Sequence, residues 1–184
     1  NRHVLAHEAR RAFARAFSTT VEGTGMRLVF DVAHNLAKIE EHVVEGSNRR
    51  LCVHRKGATR AFGPGHPELP EDLRAVGQPV LVPGSMGTAS WVLAGVEHNP
   101  AFFSAAHGAG RMMSRKKAKQ RGSGADVKRA LEQKGISVRP GSLALLSEEA
   151  PYAYKDVDMV VDVCEEVALA RKVARLRPLG VVKG

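Results

Sequence analysis

The sequence has few aromatic residues, few cysteines and no long apolar run. Aromatic residues make up 5% of the 184 residues, which disfavours a surface of stacked rings that binds RNA bases. The two cysteines, Cys52 and Cys164, form neither a CxxC pair nor a disulfide framework, so we expect a reducing cytoplasm. No apolar run approaches the roughly 18 residues that span a bilayer, and we see no signal-peptide pattern. We therefore expect a cytoplasmic protein without a membrane partner.

Acidic residues are also too few to balance the basic ones. Lys and Arg number 28 against 19 Asp and Glu, which gives a formal net charge of +9. The sequence pI is about 10.0. Such a balance favours polyanions as partners, and nucleic acid is the leading candidate. The charge does not indicate a fold, and the length allows one good core or two small domains.

Helix and strand patterns are mixed along the chain without a regular βαβ alternation. This predicts an α+β fold of mixed sheets with surrounding helices. We predict helices over residues 1–17, 34–44, 114–134 and 162–176, with glycines interrupting the third. We predict strands over residues 26–32, 51–54, 79–82, 138–146 and 157–161, and an irregular loop over residues 63–79. Because the chain begins within a helical pattern, we expect a fragment of a longer protein.

One histidine, His107, lies among residues too small to bury it and just before a cluster of cations. Gly108 and Gly110 allow the main chain to approach a ligand, and Arg111 and Arg115 could balance phosphate charge. Neutral imidazole is a competent nucleophile toward activated phosphorus. Three readings remain open for His107: a nucleophile, a metal ligand or an ordinary loop histidine.

Two earlier segments also carry candidate residues. His34 and Asn35 follow Asp31 at a predicted strand-to-helix junction, where His34 could bind a metal with Asp31 orienting it, or both could simply cap a helix. Residues 54–60 hold Arg55, Lys56 and Arg60 around a glycine, which favours phosphate binding over a solvated turn.

Three further features are weaker on their own. Residues 83–90 form a small-residue loop with neither a Walker nor a Rossmann spacing, so an anion loop and an ordinary tight loop are equally supported. Tyr154 could stack on a base or bond to a phosphate, although core packing is the simpler interpretation. Lys183 is the second-last residue of the sequence, and a lysine there would ordinarily be considered part of a frayed tail.

Taken together and in order, these motifs resemble the RtcB family of RNA ligases. The matching stretches are residues 31–35, 54–61, 83–91, 107–111 with 114–117, 148–158 and 178–184. The resemblance implies an RtcB-like α+β fold. It also implies a GTP- and Mn²⁺-dependent ligase that joins RNA 2′,3′-cyclic phosphate or 3′-phosphate ends to 5′-hydroxyl ends. The reaction would proceed through a guanylylated histidine and an RNA-(3′)pp(5′)G intermediate.

The resemblance also implies roles for individual residues. His107 would be the nucleophile, and His34 would bind one of the two manganese ions of the complete enzyme. Lys56, Arg111 and Arg115 would contact RNA phosphates. The residues implied in binding GTP or GMP are His34, Asn35, Pro83, Gly84, Ser85, Met86, Ser90, His107, Gly108, Ala109, Gly110, Tyr154 and Lys183. Expected partners are RNA, such as tRNA halves or other broken ends, GTP, and an archease-type activator.

One departure from the family pattern bears on what the chain can do. The family carries an Asp-x-x-Cys pair and two further metal-binding histidines, and neither Cys52 nor Cys164 has an Asp three residues before it. We therefore expect residues 1–184 to be the C-terminal portion of an RtcB-like catalytic domain without its N-terminal metal-binding half. The alternative is a fragment that binds RNA or guanine nucleotide without catalysis. A metal-dependent phosphoesterase is less well supported, because few metal-binding residues are recognisable.

Overall fold

The computed structural model describes residues 1–183, with side chains as far as residue 182. The chain divides into two units, Asn1–Asp31 and Val32–Gly184. Helices accompany several small sheets, which confirms the predicted α+β class. Within the described residues, no helix combines the length and the apolar character needed to cross a membrane.

The first unit is a helix followed by an irregular return segment. Helix α1 (Arg2–Ala16) confirms the first predicted helix, and a 3₁₀ turn follows at Glu22–Thr24. The strand predicted over residues 26–32 is wrong, because these residues form neither a strand nor a helix. Asp31 accepts hydrogen bonds from Arg2 at 2.6 and 3.0 Å, one on each carboxylate oxygen.

The second unit begins with a long hairpin where a helix was predicted. Strands β1 (Asn35–Val44) and β2 (Ser47–Lys56) pair antiparallel along their whole length. Glu45 and Gly46 connect them with φ values of +50° and +74°, as a two-residue type I′ turn requires. The helix over residues 34–44 is therefore wrong, because pairing with β2 overrides its helical spacing. For the same reason Asn35 begins a strand and caps no helix.

Three further sheets complete the second unit. A short antiparallel pair joins β3 (Ala58–Arg60) to β6 (Ser104–Ala106). The central antiparallel sheet has the order β4 (Pro79–Val82), β5 (Ser90–Gly95) and β8 (Ala170–Leu176). The last pair is parallel and joins β7 (Ser137–Pro140) to β9 (Gly180–Lys183). The predicted loop over residues 63–79 is irregular apart from a 3₁₀ turn at Glu71–Leu73 and its junction with β4.

Four helices lie between β6 and β8 in the chain. Helices α2 (Arg115–Arg121) and α3 (Gly124–Gln133) confirm the interrupted helix, and Ser114 and Ser123 cap their first turns. The predicted strand over residues 138–146 is correct only in its first part, since α4 (Leu143–Glu148) follows β7.

Helix α5 (Val157–Glu166) occupies a segment that was predicted as a strand followed by a helix. Asp156 caps it, and Val157, Val161 and Cys164 are buried at helical spacing along one face. The chain leaves the helix through Ala168 at φ +53° and then forms β8. The predicted strand over residues 157–161 is therefore wrong, and the predicted helix over residues 162–176 is correct only over residues 162–166, since β8 follows.

Two apolar clusters support the loops between them. The first joins the central sheet to α5 through buried side chains such as Val82, Leu93 and Val161. The second joins α3, α4 and β7 through Leu131, Val138 and others. The loop after β4 adds Ala89 to the first cluster and Met86 to the second. Burial at both ends fixes the position of this small-residue loop.

Candidate nucleotide and phosphate site

His34 and His107 lie face to face in the folded chain. Their ring centroids are 3.8 Å apart and their planes differ by 5°. The backbone of the β2–β3 turn joins them, because Gly57 N–H donates to the His34 carbonyl at 3.2 Å and His107 N–H donates to the Gly57 carbonyl at 3.2 Å. The structure therefore brings together two residues that are 73 positions apart in the sequence.

His107 is held in a form suited to nucleophilic attack. Burial lowers its pKa, and the nearby charge of His34 lowers it further, so the neutral imidazole is favoured at neutral pH. Its Nδ1 atom is buried without a hydrogen-bond partner among the described residues.

The loop after β4 turns tightly beside the His107 segment. Ala109 N–H donates to the Pro83 carbonyl at 3.0 Å. Ser85 N–H donates to Thr88 Oγ1 at 2.7 Å, and Ser90 Oγ accepts from Gly84 N–H at 3.4 Å. A Cβ at Gly84 would overlap the Ala89 carbonyl and lie 2.6 Å from Thr88 Oγ1, so only glycine fits.

A cavity of about 340 Å³ opens against this loop. Its volume lies within the range of about 300–1,000 Å³ that small-molecule sites occupy. The predicted residues that line it are Pro83, Gly84, Ser85, Met86, Ser90 and Tyr154. Its lining does not include His107, Gly108, Ala109 or Gly110, which form the adjacent loop, nor His34 or Asn35. The Lys183 side chain lies outside the described part of the chain.

Tyr154 is fixed by two charged neighbours. Its hydroxyl donates to a carboxylate oxygen of Glu149 and accepts from Arg111 Nη1 at 3.1 Å. Burial raises the Tyr154 pKa, and the hydrogen bond to Glu149 raises it further, so the phenol stays protonated. The tyrosine at the cavity is therefore a positioned polar group as well as an aromatic surface.

Arg111 and Arg115, both predicted to contact RNA, are engaged by acidic residues. Arg111 donates from Nε to the Met113 carbonyl at 3.1 Å and from Nη2 to the Glu148 carbonyl at 2.6 Å. Arg115 donates to Glu149 at 3.0 Å, although its side chain is two-thirds exposed. Arg111 therefore serves the protein structure with each of its nitrogens, while Arg115 keeps an exposed face.

The basic segment at residues 54–60 is only partly available for phosphate binding. Arg55 is 1% exposed and forms hydrogen bonds with both carboxylate oxygens of Glu40 at 2.7 and 2.8 Å. Arg60 pairs with Glu68 at 2.9 Å. The interpretation of three phosphate-binding cations is therefore wrong for Arg55, because burial removes it from solvent. Lys56 is exposed on the strand opposite Asn35, close to His34.

A complete metal site is not formed by the described residues. No group of three or more His, Cys, Asp and Glu side chains in residues 1–182 is placed to hold a metal ion. His34 offers one imidazole, and the Asp31 carboxylate accepts hydrogen bonds from Arg2 within the first unit. These residues alone do not fit a two-ion manganese centre.

Several residues of the site could not be identified from sequence. Glu149 lines the cavity and anchors Tyr154, and β9 contributes the cavity wall through Gly180, Val181 and Val182. Their position within residues 148–158 and 178–184 could have drawn attention to them. However, neither an apolar side chain nor an isolated glutamate indicates a particular ligand.

The fold and the site place this chain among α+β proteins that carry a histidine loop beside a cavity of ligand size. The family model "tRNA-splicing ligase RtcB" matches residues 1–184. A "tRNA-splicing ligase RtcB" of Archaeoglobus fulgidus is 56% identical over 186 residues, covering 100% of this chain and 39% of its own length. The chain therefore belongs to the RtcB family.

Two further relatives agree in extent. An "RNA-splicing ligase RtcB" of Mycobacterium bovis is 56% identical over 184 residues, covering 100% of this chain and 41% of that protein. A "tRNA-splicing ligase RtcB" of Aeropyrum pernix is 51% identical, covering 100% of this chain and 38% of that protein. The chain thus spans about two-fifths of the length of these relatives.

Proposed function

We propose that the full-length protein carrying this chain is an RNA ligase that uses GTP. It would join a 3′-phosphate end, or a 2′,3′-cyclic phosphate end after its opening, to a 5′-hydroxyl end. Membership of the RtcB family supports the class of reaction. The observation that carries the assignment to residues is the hydrogen bond from Ala109 to Pro83, which joins the His107 loop to the wall of the cavity.

In this proposal the neutral His107 attacks the α-phosphate of GTP. A P–N bond forms at Nε2 as the bond from the α-phosphorus to pyrophosphate breaks. The proton that remains on the imidazolium ring passes to the departing pyrophosphate, so the ring of the adduct is uncharged while its phosphate keeps a negative charge. The RNA 3′-phosphate then displaces the histidine and takes the GMP, which gives RNA-(3′)pp(5′)G. Finally the 5′-hydroxyl attacks the RNA phosphorus, GMP leaves, and a phosphodiester remains.

The small-residue loop and Tyr154 would hold the nucleotide for this relay. Gly84 allows the main chain to approach the ligand closely, and the serines at positions 85 and 90 place hydroxyl groups on the cavity wall. The protonated Tyr154 would fix one edge of the ligand. Positioning lowers the barrier by removing the orientational freedom of the reactants.

Manganese dependence and the remaining partners are proposed from the family alone. His34 would supply one imidazole to a manganese ion, which would neutralise charge on phosphate oxygens when bound. Because residues 1–182 do not form a metal cluster, the other ligands would have to come from elsewhere in the full-length protein. RNA ends such as tRNA halves, an archease-type activator and a cytoplasmic location belong to the same proposal.

The test is covalent labelling of the full-length protein with GTP that carries ³²P at the α-phosphate. We expect an acid-labile protein–GMP adduct that maps to His107 and is absent from His107→Ala. His98→Ala is the matched control, since His98 lies outside the cavity lining and should keep full labelling. Labelling that persists in His107→Ala would refute the assignment.

A further inference from the structure

A second and larger cavity lies next to the nucleotide cavity. This groove has a volume of about 890 Å³, and Tyr154 and Pro178 line both cavities. Met112 and Ile136 contribute apolar surface to the groove. Its cationic lining residues are Lys134, Lys155, Arg175 and Arg177. The two cavities therefore share a wall, and the groove has a mixed apolar and cationic surface.

Three of the four cations in the groove are unpaired. Within residues 1–182, Lys134, Lys155 and Arg177 have no ion pair or side-chain hydrogen bond, and all three are exposed. Arg175 instead pairs with Asp158 at 2.8 Å. In contrast, Arg115 and Lys119 on helix α2 are paired with Glu149 and Glu148.

The acids of the groove are already occupied by the protein. Asp158 accepts from Trp91 Nε1 at 2.6 Å as well as from Arg175. Asp156 caps helix α5 by accepting from Asp158 N–H at 2.9 Å. The four cations of the lining outnumber its two carboxylates, Asp156 and Asp158, so the groove presents net positive charge to a ligand.

The backbone connects the groove to the proposed nucleophile. Lys155 N–H donates to the Gly110 carbonyl at 3.0 Å, and Met112 N–H donates to the Ala153 carbonyl at 2.8 Å. The segment that follows Arg177 continues into β9, which lines the nucleotide cavity. A strand lying in the groove would thus end close to the loop that carries His107.

We propose that this groove binds the sugar–phosphate backbone of the RNA strand being joined, through Lys134, Lys155 and Arg177. The inference rests on the proposed ligase function and extends it to three residues for which the sequence analysis assigned no role. Cations on flexible stems suit the spaced phosphates of a single strand, and the apolar floor suits ribose and base faces.

The test compares two triple variants of the full-length protein. The groove variant is Lys134→Gln, Lys155→Gln and Arg177→Gln. The matched control is Lys38→Gln, Arg49→Gln and Arg50→Gln, which removes the same charge from exposed cations of the β1–β2 hairpin. Affinity for a single-stranded RNA with a 3′-phosphate is measured between about 50 and 200 mM salt.

We expect the groove variant to bind RNA more weakly and with less salt dependence. The slope of log K against log salt is negative, and each lost phosphate contact reduces its magnitude by about 0.7. The loss of three contacts therefore reduces it by about 2. When the salt concentration rises from about 50 to 200 mM, the ratio of wild-type affinity to groove-variant affinity therefore falls about 16-fold. The hairpin variant should keep a salt slope closer to that of the wild type. In each single groove variant the magnitude of the slope should fall by about 0.7.

Labelling with GTP separates this inference from the proposed function. The groove variant should form the His107 adduct at the wild-type level, because the nucleotide cavity is unchanged. Equal salt slopes for the two triple variants would overturn the inference. Loss of GTP labelling in the groove variant would also overturn it, since the groove would then serve the nucleotide. Failure of labelling in the wild type would instead refute the ligase proposal.

Discussion

Arg55 should be essential for stability and unimportant for binding phosphate. Its guanidinium forms hydrogen bonds with both oxygens of Glu40, with Ser104 Oγ at 2.9 Å and with the Phe102 carbonyl at 2.7 Å. Burial raises the pKa of Glu40, but the hydrogen bonds from Arg55 and His42 outweigh this, so its pKa lies below the ordinary value. Glu40 is therefore charged in the folded protein at neutral pH.

The change Arg55→Met leaves that buried carboxylate with His42 as its remaining side-chain partner among the described residues. Removing one partner of a buried pair costs about 3–5 kcal/mol of unfolding free energy. Replacing both partners by apolar side chains is often neutral, so Arg55→Met with Glu40→Met should regain most of the loss. Arg60→Met is the matched control, because the half-exposed Glu68 partner limits that loss to about 1 kcal/mol.

Chemical denaturation of the full-length protein measures the three losses, and RNA affinity is measured on the same samples. The reasoning would be refuted if Arg55→Met lost RNA affinity and salt dependence while keeping its stability. That result would mean that the guanidinium reaches phosphate, as the sequence pattern at residues 54–60 suggested.

The remaining predictions concern the loop, the first unit and the isolated chain. Gly84→Ala should lower the free energy of unfolding by about 1–3 kcal/mol and weaken GTP binding, because the added Cβ overlaps the backbone. Gly108→Ala should keep the wild-type stability, because its Cβ would lie 3.5 Å from the nearest atom. Equal losses of stability in the two variants would contradict this. The Asp31 carboxyl should titrate at a pKa of about 2 when followed by NMR. Its ion pair with Arg2 should therefore add a small amount to the free energy of unfolding above pH 3.8, and this contribution is lost as the pH falls through 2. In Arg2→Gln the midpoint should move up toward 3.8, and an unmoved midpoint would exclude the ion pair. Residues 1–184 alone should ligate RNA little or not at all, since His34 alone does not hold two metals; robust ligation by a sample shown to be folded would overturn this.

Motifs with unusual composition could be located from the sequence. The glycines around His107 and the small residues from Pro83 onward identified loops, and these loops meet in the structure. The pairing of His34 with His107 was not predictable from local pattern. It depends on the β2–β3 turn, whose Gly57 carries both connecting hydrogen bonds.

The errors in secondary structure have a common physical origin. Residues 34–44 contain good helix formers, but the type I′ turn at Glu45 and Gly46 commits them to a hairpin. Residues 157–161 are rich in β-branched valine, yet the Asp156 cap and burial of one face make them helical. In each case tertiary pairing or packing outweighs a propensity of less than about 1 kcal/mol per residue.

Charge patterns proved the least reliable guide to the site. Arg55 and Arg111 resemble phosphate ligands in sequence, but Arg55 donates to the Glu40 carboxylate, and Arg111 donates to the Glu148 carbonyl and forms an ion pair with Glu149. Lys134, Lys155 and Arg177 are scattered along the chain and form no cluster in the sequence, yet they line one groove. Pairing with acids distant in sequence decides which cations remain free, and this information is available only after folding.

The most direct test of the account is the residue that becomes attached to GMP. Full-length protein incubated with manganese and GTP labelled at the α-phosphate should carry one acid-labile GMP, located by peptide mapping on the imidazole of His107. Attachment of GMP to any other residue, or labelling that survives His107→Ala in a folded protein, would contradict the central claim.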